Sequence, residues 1–423
     1  LLLDLRAFHR GGDGERHVVA FPPLGVDPYG ALAPHPDHIR ERIQTLDRCA
    51  RKKVDILLAP MLSWREYLQP PQHFLGSTLT IAVGNDLPLE ELVSALGSAG
   101  YQRHSLVESL GEMAVRGGIV DIFPATREYP IRLEYFGDEI ESIREFNPRD
   151  QRSLRSIEFV ELPPAREHFE LAAPRAGNIS EGSESDQSPQ GRRIWLEGEE
   201  VSSRALLADY LADPLWVEIE PELFTEEEAA WGSHLDEYYH RALAAGRDAK
   251  PPDDLYSNLA EGLRRTGRDR LLMRDLATED STSEAFRLIA QPAPSFQGRM
   301  ADLAENVGKS LAKGDSIFLA MNRPASARRL AGVLEEYGIP TGLFLPDKDP
   351  GDRQMNSPVK GRSGSDEGTG KEKGFLAVSE NADRIEHPPN NGTGNCWVIC
   401  ADLSAGFRLP DQSLWLGTDT EIF

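Results

Sequence analysis

The stretch IRLEYFGDEIESIREF, Ile131 to Phe146, reads as two short strands joined by a Gly137-Asp138 turn. Alternation places Ile131, Leu133 and Tyr135 on one face and Arg132, Glu134 and Phe136 on the other. A phenylalanine on the charged face poses a choice. Phe136 either tucks into the core of its own sheet, with Arg132 paired to Glu134 or Glu141, or it stands out as a contact. Upstream, RGGIVDIFPA from Arg116 to Ala125 reads as the neighbouring strand. From Tyr101 to Leu162 the period stays at two, with turns at Gly111, Gly117-Gly118 and Gly137-Asp138. This predicts a small antiparallel sheet.

On either side the pattern changes to strand-helix alternation, which implies a parallel α/β layer. HVVAFPPL, VDILLAP and STLTIAVG read as three buried strands. Between and after them lie helices at His38 to Arg51, near Met61 to Tyr67, and at Leu89 to Gly97, the last ending on a glycine C-cap. Beyond the sheet, GNISEGSESDQSPQGRR is a polar linker. RRIWLEGE, a helix around Ser202 to Leu211, the strand PLWVEIE and a helical stretch from Thr225 to Ala245 resume the α/β pattern. A last unit begins near Ser295, with helices Ala301 to Leu311 and Ala325 to Tyr337. Its strand candidates are DSIFLAM, TGLFLP, FLAVSE and CWVICADL. The predicted fold is thus α/β. It comprises a parallel-sheet domain in two parts (1–98 and 194–294), an inserted β-rich domain (99–170), a linker (171–193), and a small α/β domain (295–423) with a disordered loop at 351–374.

A chain of 423 residues implies two to four domains, and 39% apolar with 8% aromatic residues is a globular composition. No apolar run approaches a membrane span and no signal peptide is legible. The sequence lacks an initiator Met, which predicts that it begins inside a longer gene product. Three cysteines, Cys49, Cys396 and Cys400, make neither a disulfide framework nor a zinc site, and they fit a reducing, cytoplasmic setting. The formal charge of −23 repels phosphate backbones, which disfavours broad nucleic-acid binding by these residues.

A phosphate-binding loop is absent. Its nearest approximation, Gly370-Lys371, has Ser365 in place of the first glycine, Glu372 in place of the magnesium hydroxyl, and no preceding strand. Glu218 and Glu220 end a strand where a motor would hold magnesium, but without that loop they read as solvated acids. His35 and His38 lack companion ligands at metal spacing. No catalytic residue, metal ligand or cofactor-binding residue is predicted. One compositional detail is sharper. Between Tyr101 and Arg155 all eight cationic residues are arginine (103, 116, 127, 132, 144, 149, 152 and 155), although arginine supplies 37 of the 46 basic residues overall. Arginine's planar fork binds carboxylates and tolerates partial burial, which suits a protein interface.

The segment from Gly100 to Leu154, with R-G-G-I-x-D-I-F-P followed by R-x-E-x-F-G-D-E-I-E-S-I-R, closely resembles the inserted domain of the bacterial transcription-repair coupling factor (Mfd) family. That domain is shared with the excision-repair protein UvrB. VDPYGALAPHPDHIRERIQTL, PAPSFQGRM and LSAGFRLPDQSLWLGTDTEIF extend the resemblance over nearly the whole chain. UvrB itself carries an intact phosphate loop. It also has a long aromatic hairpin between the Pro-Tyr turn and the next helix, and here Asp27-Pro28-Tyr29 reaches the helix of Arg40 and Arg42 without room for one.

The resemblance implies a nucleotide-free UvrB-like module whose inserted sheet recruits UvrA. Motif by motif it assigns the UvrA contacts to Arg116, Arg132 and Phe136. It also implies a non-catalytic adaptor linking stalled RNA polymerase to excision repair. RNA polymerase and double-stranded DNA would be reached only through downstream domains, where ATP and magnesium would act; no membrane partner is implied. Two other readings compete: a nucleotide-dependent translocase with a diverged phosphate site, and a UvrB-type damage binder.

Overall fold

The computed structural model describes residues 1–9, 17–25, 27–30, 34–167, 204–247, 249–265, 270–274, 286–345 and 394–423. The polar segment 171–193, the loop 351–374, and the strand candidates RRIWLEGE and FLAVSE lie outside these residues. The fold is mixed α/β with several separate sheets. Contacts divide it into two units, Leu1–Arg16 with Ala277–Phe423, and His17–Leu276. Helix α1 (Leu2–Phe8) therefore groups with the C-terminal unit rather than with the strands that follow it.

In the His17–Leu276 unit, β1 (His17–Ala20) and β2 (Val54–Leu58) pair in parallel, joined through α2 (Pro36–Ala50). The helix starts where His35 caps it, its ring nitrogen accepting from the Asp37 amide at 3.3 Å, with Pro36 in the first turn. Ile43, Leu46 and Cys49 face inward at helical spacing and meet Phe21, Leu68 and Phe74 in one core. Two short helices follow, α3 (Met61–Arg65) and α4 (Pro71–Gly76). The expected helix through Tyr67 stops early, because Glu66 and Leu68 are drawn into bridges with Tyr256 and Ala205.

The third expected parallel strand behaves differently. β3 (Leu79–Ala82) pairs antiparallel with Phe159–Leu162, not with β2. Ile81 and, from helix α5 (Leu89–Ser98), Leu92 and Leu96 bury against Val120, Leu133, Ile143 and Val160. The core shared with the β layer thus includes residues from Ile81 onward. Helix α5 also runs past Gly97. The chain reverses at Gly100, whose φ of +88° lets the Tyr101 amide donate back to the Leu96 carbonyl at 3.0 Å.

The β layer itself comprises β4 (Gln102–Arg103), β5 (Glu112–Arg116), β6 (Ile119–Ile122), β7 (Ile131–Phe136), β8 (Glu139–Phe146) and β9 (Ser153–Ser156), adjacent in that order. All pairings are antiparallel except β4 with β5. β10 (Phe159–Leu162) is the partner of β3. Ile131 and Leu133 are fully buried beneath the sheet, as alternation requires. A one-residue slip would drive Arg132 and Glu134 into that core, so the register is strongly fixed. A bulge leaves Glu141 extra between the pairs Glu134–Ser142 and Tyr135–Ile140, bending the hairpin near its tip.

The rest of this unit is β11 (Trp216–Ile219), α6 (Glu222–Ala244), α7 (Pro252–Leu255), α8 (Leu259–Arg265) and β12 (Arg270–Met273). Ahead of β11, the helix expected around 202–211 is a single 3-10 turn over Leu207–Tyr210 among the described residues. β11 and β12 pair in parallel. Glu218 on β11 is buried and accepts from Arg270 Nε at 2.8 Å, which corrects its reading as a solvated strand-end acid.

The second unit builds a sheet in the order β13 (Gln291–Pro292), β17 (Phe407–Leu409), β18 (Leu414–Thr418), β14 (Ser316–Met321), β16 (Cys396–Cys400) and β15 (Gly342–Phe344). The four strands β18, β14, β16 and β15 are parallel. Helices α9 (Met300–Ala312) and α10 (Pro324–Glu336) cover the sheet through Leu303, Val307, Leu330 and Leu334, and α11 (Asp419–Ile422) closes the chain. Burial pushes the Cys49 and Cys396 thiols up to about 12, the behaviour of packed rather than reactive cysteines.

One core position in the first unit is charged. Arg42 of α2 is fully buried, donating to Glu167 from Nε at 2.5 Å and from Nη2 at 2.6 Å, to Glu66, and to the Pro22 carbonyl at 2.6 Å. Its guanidinium lies 3.9 Å from the centre of the Phe21 ring. Burial works against the Arg42 charge, yet the two carboxylates hold it above its usual value. With two carboxylates for one cation, burial pushes Glu66 from an ordinary 4.5 up to about 7. Between those values the folded state keeps a proton that the unfolded chain has released. For this group, stability is therefore greatest below pH 4.5 and falls as pH rises towards 7. Denaturant midpoints measured across this range should slope down more steeply for wild type than for Glu66→Gln; parallel profiles would remove Glu66 as the cause.

Candidate protein-docking face

The face of the β layer opposite its core is built by the alternate residues of β5 to β8. Cross-strand pairing aligns Ala114, Asp121, Arg132 and Arg144 in one row, and Arg116, Ile119, Glu134 and Ser142 in the next. Arg116 lies on β5, separated from β7 by β6, so it is not on the strand adjacent to Arg132 as the sequence suggested. It reaches Arg132 only through the residue between them. Asp121, wholly buried, accepts from Arg116 Nη2 at 2.5 Å and from Arg132 Nε and Nη2 at 2.7 and 2.9 Å. Neither Glu134 nor Glu141 takes the Arg132 guanidinium.

Arg132 is held on every side. Nη2 also donates to Gln151 Oε1 at 3.0 Å, and the guanidinium stands 4.5 Å from the centre of the Phe146 ring. Its side chain is 15% exposed. Hydrogen bonding to Asp121 holds its charge more firmly than in a free arginine. Arg116 has the opposite character, with 46% of its side chain exposed.

Phe136 is 78% exposed, which settles the choice posed by the sequence: the ring does not tuck into its own core. It sits at the tip of the β7–β8 hairpin, beside Gly137 at a φ of +64°. The Tyr135 amide donates to the Gly118 carbonyl at 2.8 Å, which brings the β5–β6 turn alongside this tip. A Cβ at Gly118 would lie 3.2 Å from the Tyr135 carbonyl oxygen, a tight contact that the two turns would have to part by a few tenths of an ångström to relieve. Arg116 and Phe136 consequently share one end of the sheet. Arg144 joins them as a 40% exposed cation, 3.2 Å from Glu134, whose carboxylate also accepts from Ser142 Oγ at 2.7 Å.

Other concavities offer less. A cleft of about 680 Å³ lies where α2 meets the far edge of the β layer, lined by Arg51, Arg127, Arg155, Glu145, Tyr129 and Phe159. Its arginines are already paired, Arg51 with Asp47 and Glu161, and Arg127 and Arg155 with Glu145. Among the described residues no group of three or more His, Cys, Asp or Glu is placed to hold a metal ion. No described helix is long and apolar enough to cross a membrane.

The sheet, its covering helix and the β3–β10 ribbon coincide with a known family. Residues 79–168 match the family described as the UvrB interaction domain. The chain carries a UvrB interaction domain. Its matched span begins at the first residue of β3, where the buried core also begins.

The likeness extends outside the UvrB interaction domain. The chain is 30% identical over 394 residues to the transcription-repair-coupling factor of Mycobacterium bovis, covering 82% of this chain and 31% of that protein. It is 31% identical over 265 residues to the Haemophilus influenzae factor, covering 59% and 23%. For the Bacillus subtilis factor the figures are 34% over 153 residues, covering 36% and 13%. The chain spans less than a third of the length of these curated relatives.

Of the residues singled out from sequence, the UvrB interaction domain places Arg116 and Phe136 together in the open and turns Arg132 into an internal strut. Sequence reasoning missed Asp121, Phe146 and Gln151, which hold that strut, and left Arg144 undistinguished among eight arginines. One signal for Asp121 was legible. It stands between Val120 and Ile122, so period two puts it on the face of the arginines.

Proposed function

We propose that the UvrB interaction domain of this chain docks UvrA, and that the chain thereby serves as an adaptor that brings excision repair to stalled transcription. The observation that carries this reading is the exposed Phe136 ring, fixed at a hairpin tip beside the half-exposed Arg116. An aromatic and an arginine on a rigid support are the residue types that dominate binding energies at interfaces. Strand pairing from β5 to β8 fixes the backbone that carries them, so the ordering cost of docking falls on the side chains alone. The chain's charge of −23 favours a protein partner over a bare phosphate backbone. The names of the relatives supply the context of transcription-coupled repair. Docking of this kind calls on no metal, nucleotide or catalytic group at these residues.

The test is direct. Immobilised chain should retain purified UvrA, and the Arg116→Ala/Phe136→Ala double variant should retain it about tenfold or more less well, as loss of two central anchors does. Equal retention by both proteins would reject this face.

A further inference from the structure

Three charges meet inside the docking face, and they do not balance. One buried carboxylate, Asp121, serves two guanidinium groups. Arg132 takes both carboxylate oxygens through a fork and is further fixed by Gln151 and the Phe146 ring. Arg116 takes only Oδ2, through a single Nη2 contact, from the edge of the face. We infer that Asp121 is the positioning residue of this face: it locks Arg132 as an internal support and points Arg116, by one shared oxygen, at an acidic group of the partner.

The inference rests on the docking reading above. It adds a division of labour that the sequence does not carry, in which the two arginines are not equivalent contacts. A planar guanidinium presents five N–H donors, and one contact leaves most of those on Arg116 open to a carboxylate. The count of two cations to one anion leaves the cluster short of one negative charge, which a carboxylate brought by the partner supplies. Arg132, by contrast, has its fork engaged and little surface to offer.

The test compares UvrA affinity of the full chain with that of Asp121→Asn, Arg116→Ala, the double variant Asp121→Asn/Arg116→Ala, and Phe136→Ala. Asp121→Asn should bind about tenfold more weakly, because an amide turns a donor towards one guanidinium and Arg116 loses its aim. In the Arg116→Ala background the same change should matter by less than about twofold, since contacting residues are coupled and the aimed group is gone. A general structural defect would weaken both backgrounds alike. Should Asp121→Asn fail to fold, Asp121→Asn/Arg132→Gln restores a neutral pair inside the sheet and should still bind as weakly as Arg116→Ala. Wild-type affinity in either Asp121 variant, or equal losses in both backgrounds, overturns the inference. Wild-type affinity in Phe136→Ala overturns the docking reading and the inference with it, whereas loss there with Asp121→Asn unaffected overturns the inference alone.

Discussion

Replacing Arg42 with methionine should destabilise the His17–Leu276 unit by about 3–5 kcal/mol, the range found when one partner of a buried ion pair is removed. The substitution leaves the Glu66 and Glu167 carboxylates facing each other in a buried site with no cation between them. Methionine keeps most of the stem that packs in the core, so the loss is electrostatic rather than a cavity effect. It also removes the cation lying against Phe21. The effect should shrink when the site is made neutral as a whole. A triple variant with Arg42→Met, Glu66→Gln and Glu167→Gln is expected to regain most of the loss, because an uncompensated charge, not the missing ion pair, is the larger cost. Urea midpoints of the three proteins decide the matter. A midpoint for Arg42→Met close to that of wild type would mean that the cluster is far better solvated than its burial indicates.

Arg132→Ala should be the next most severe, about 2–3 kcal/mol, the cost of losing charge-assisted hydrogen bonds to a carboxylate that keeps one cation. Asp121 is wholly buried and would keep only the edge contact from Arg116. Phe146 would lose the guanidinium that covers it. Phe136→Ala, in contrast, removes a ring that already faces solvent and should shift stability by less than about 0.5 kcal/mol, as surface changes usually do. Thermal melts run beside UvrA binding therefore separate two roles that look alike in a binding assay. Arg132→Ala should lose binding and stability together, whereas Phe136→Ala should lose binding alone. Equal melting temperatures for the two variants would show that Arg132 is a contact residue after all.

Much of this architecture was legible because it is encoded locally. Period two from Ile131 to Phe146 fixed both the hairpin and the burial of Ile131 and Leu133, since a slip would bury charge. Helical spacing likewise identified the inward face of α2 through Ile43 and Leu46. The failures have a common cause. β3 has the apolar character of an inner parallel strand, yet it pairs antiparallel with β10, some eighty residues later in the chain. Glu218 sits at a strand end like a solvated acid, but Arg270, on a partner strand, buries it. Each error concerns a partner remote in sequence, about which local periodicity says nothing.

What the sequence alone determined is the resemblance of the domain and the burial of Ile131 and Leu133, because alternation and turn chemistry act over a few residues, whereas the exposure of Phe136 came from the structure. What only the tertiary structure decided is how the arginines divide their work. Their roles depend on which guanidinium reaches both oxygens of Asp121, and that is a matter of strand order and distance: β6 lies between β5 and β7, and a buried carboxylate binds the cation whose fork can meet it squarely.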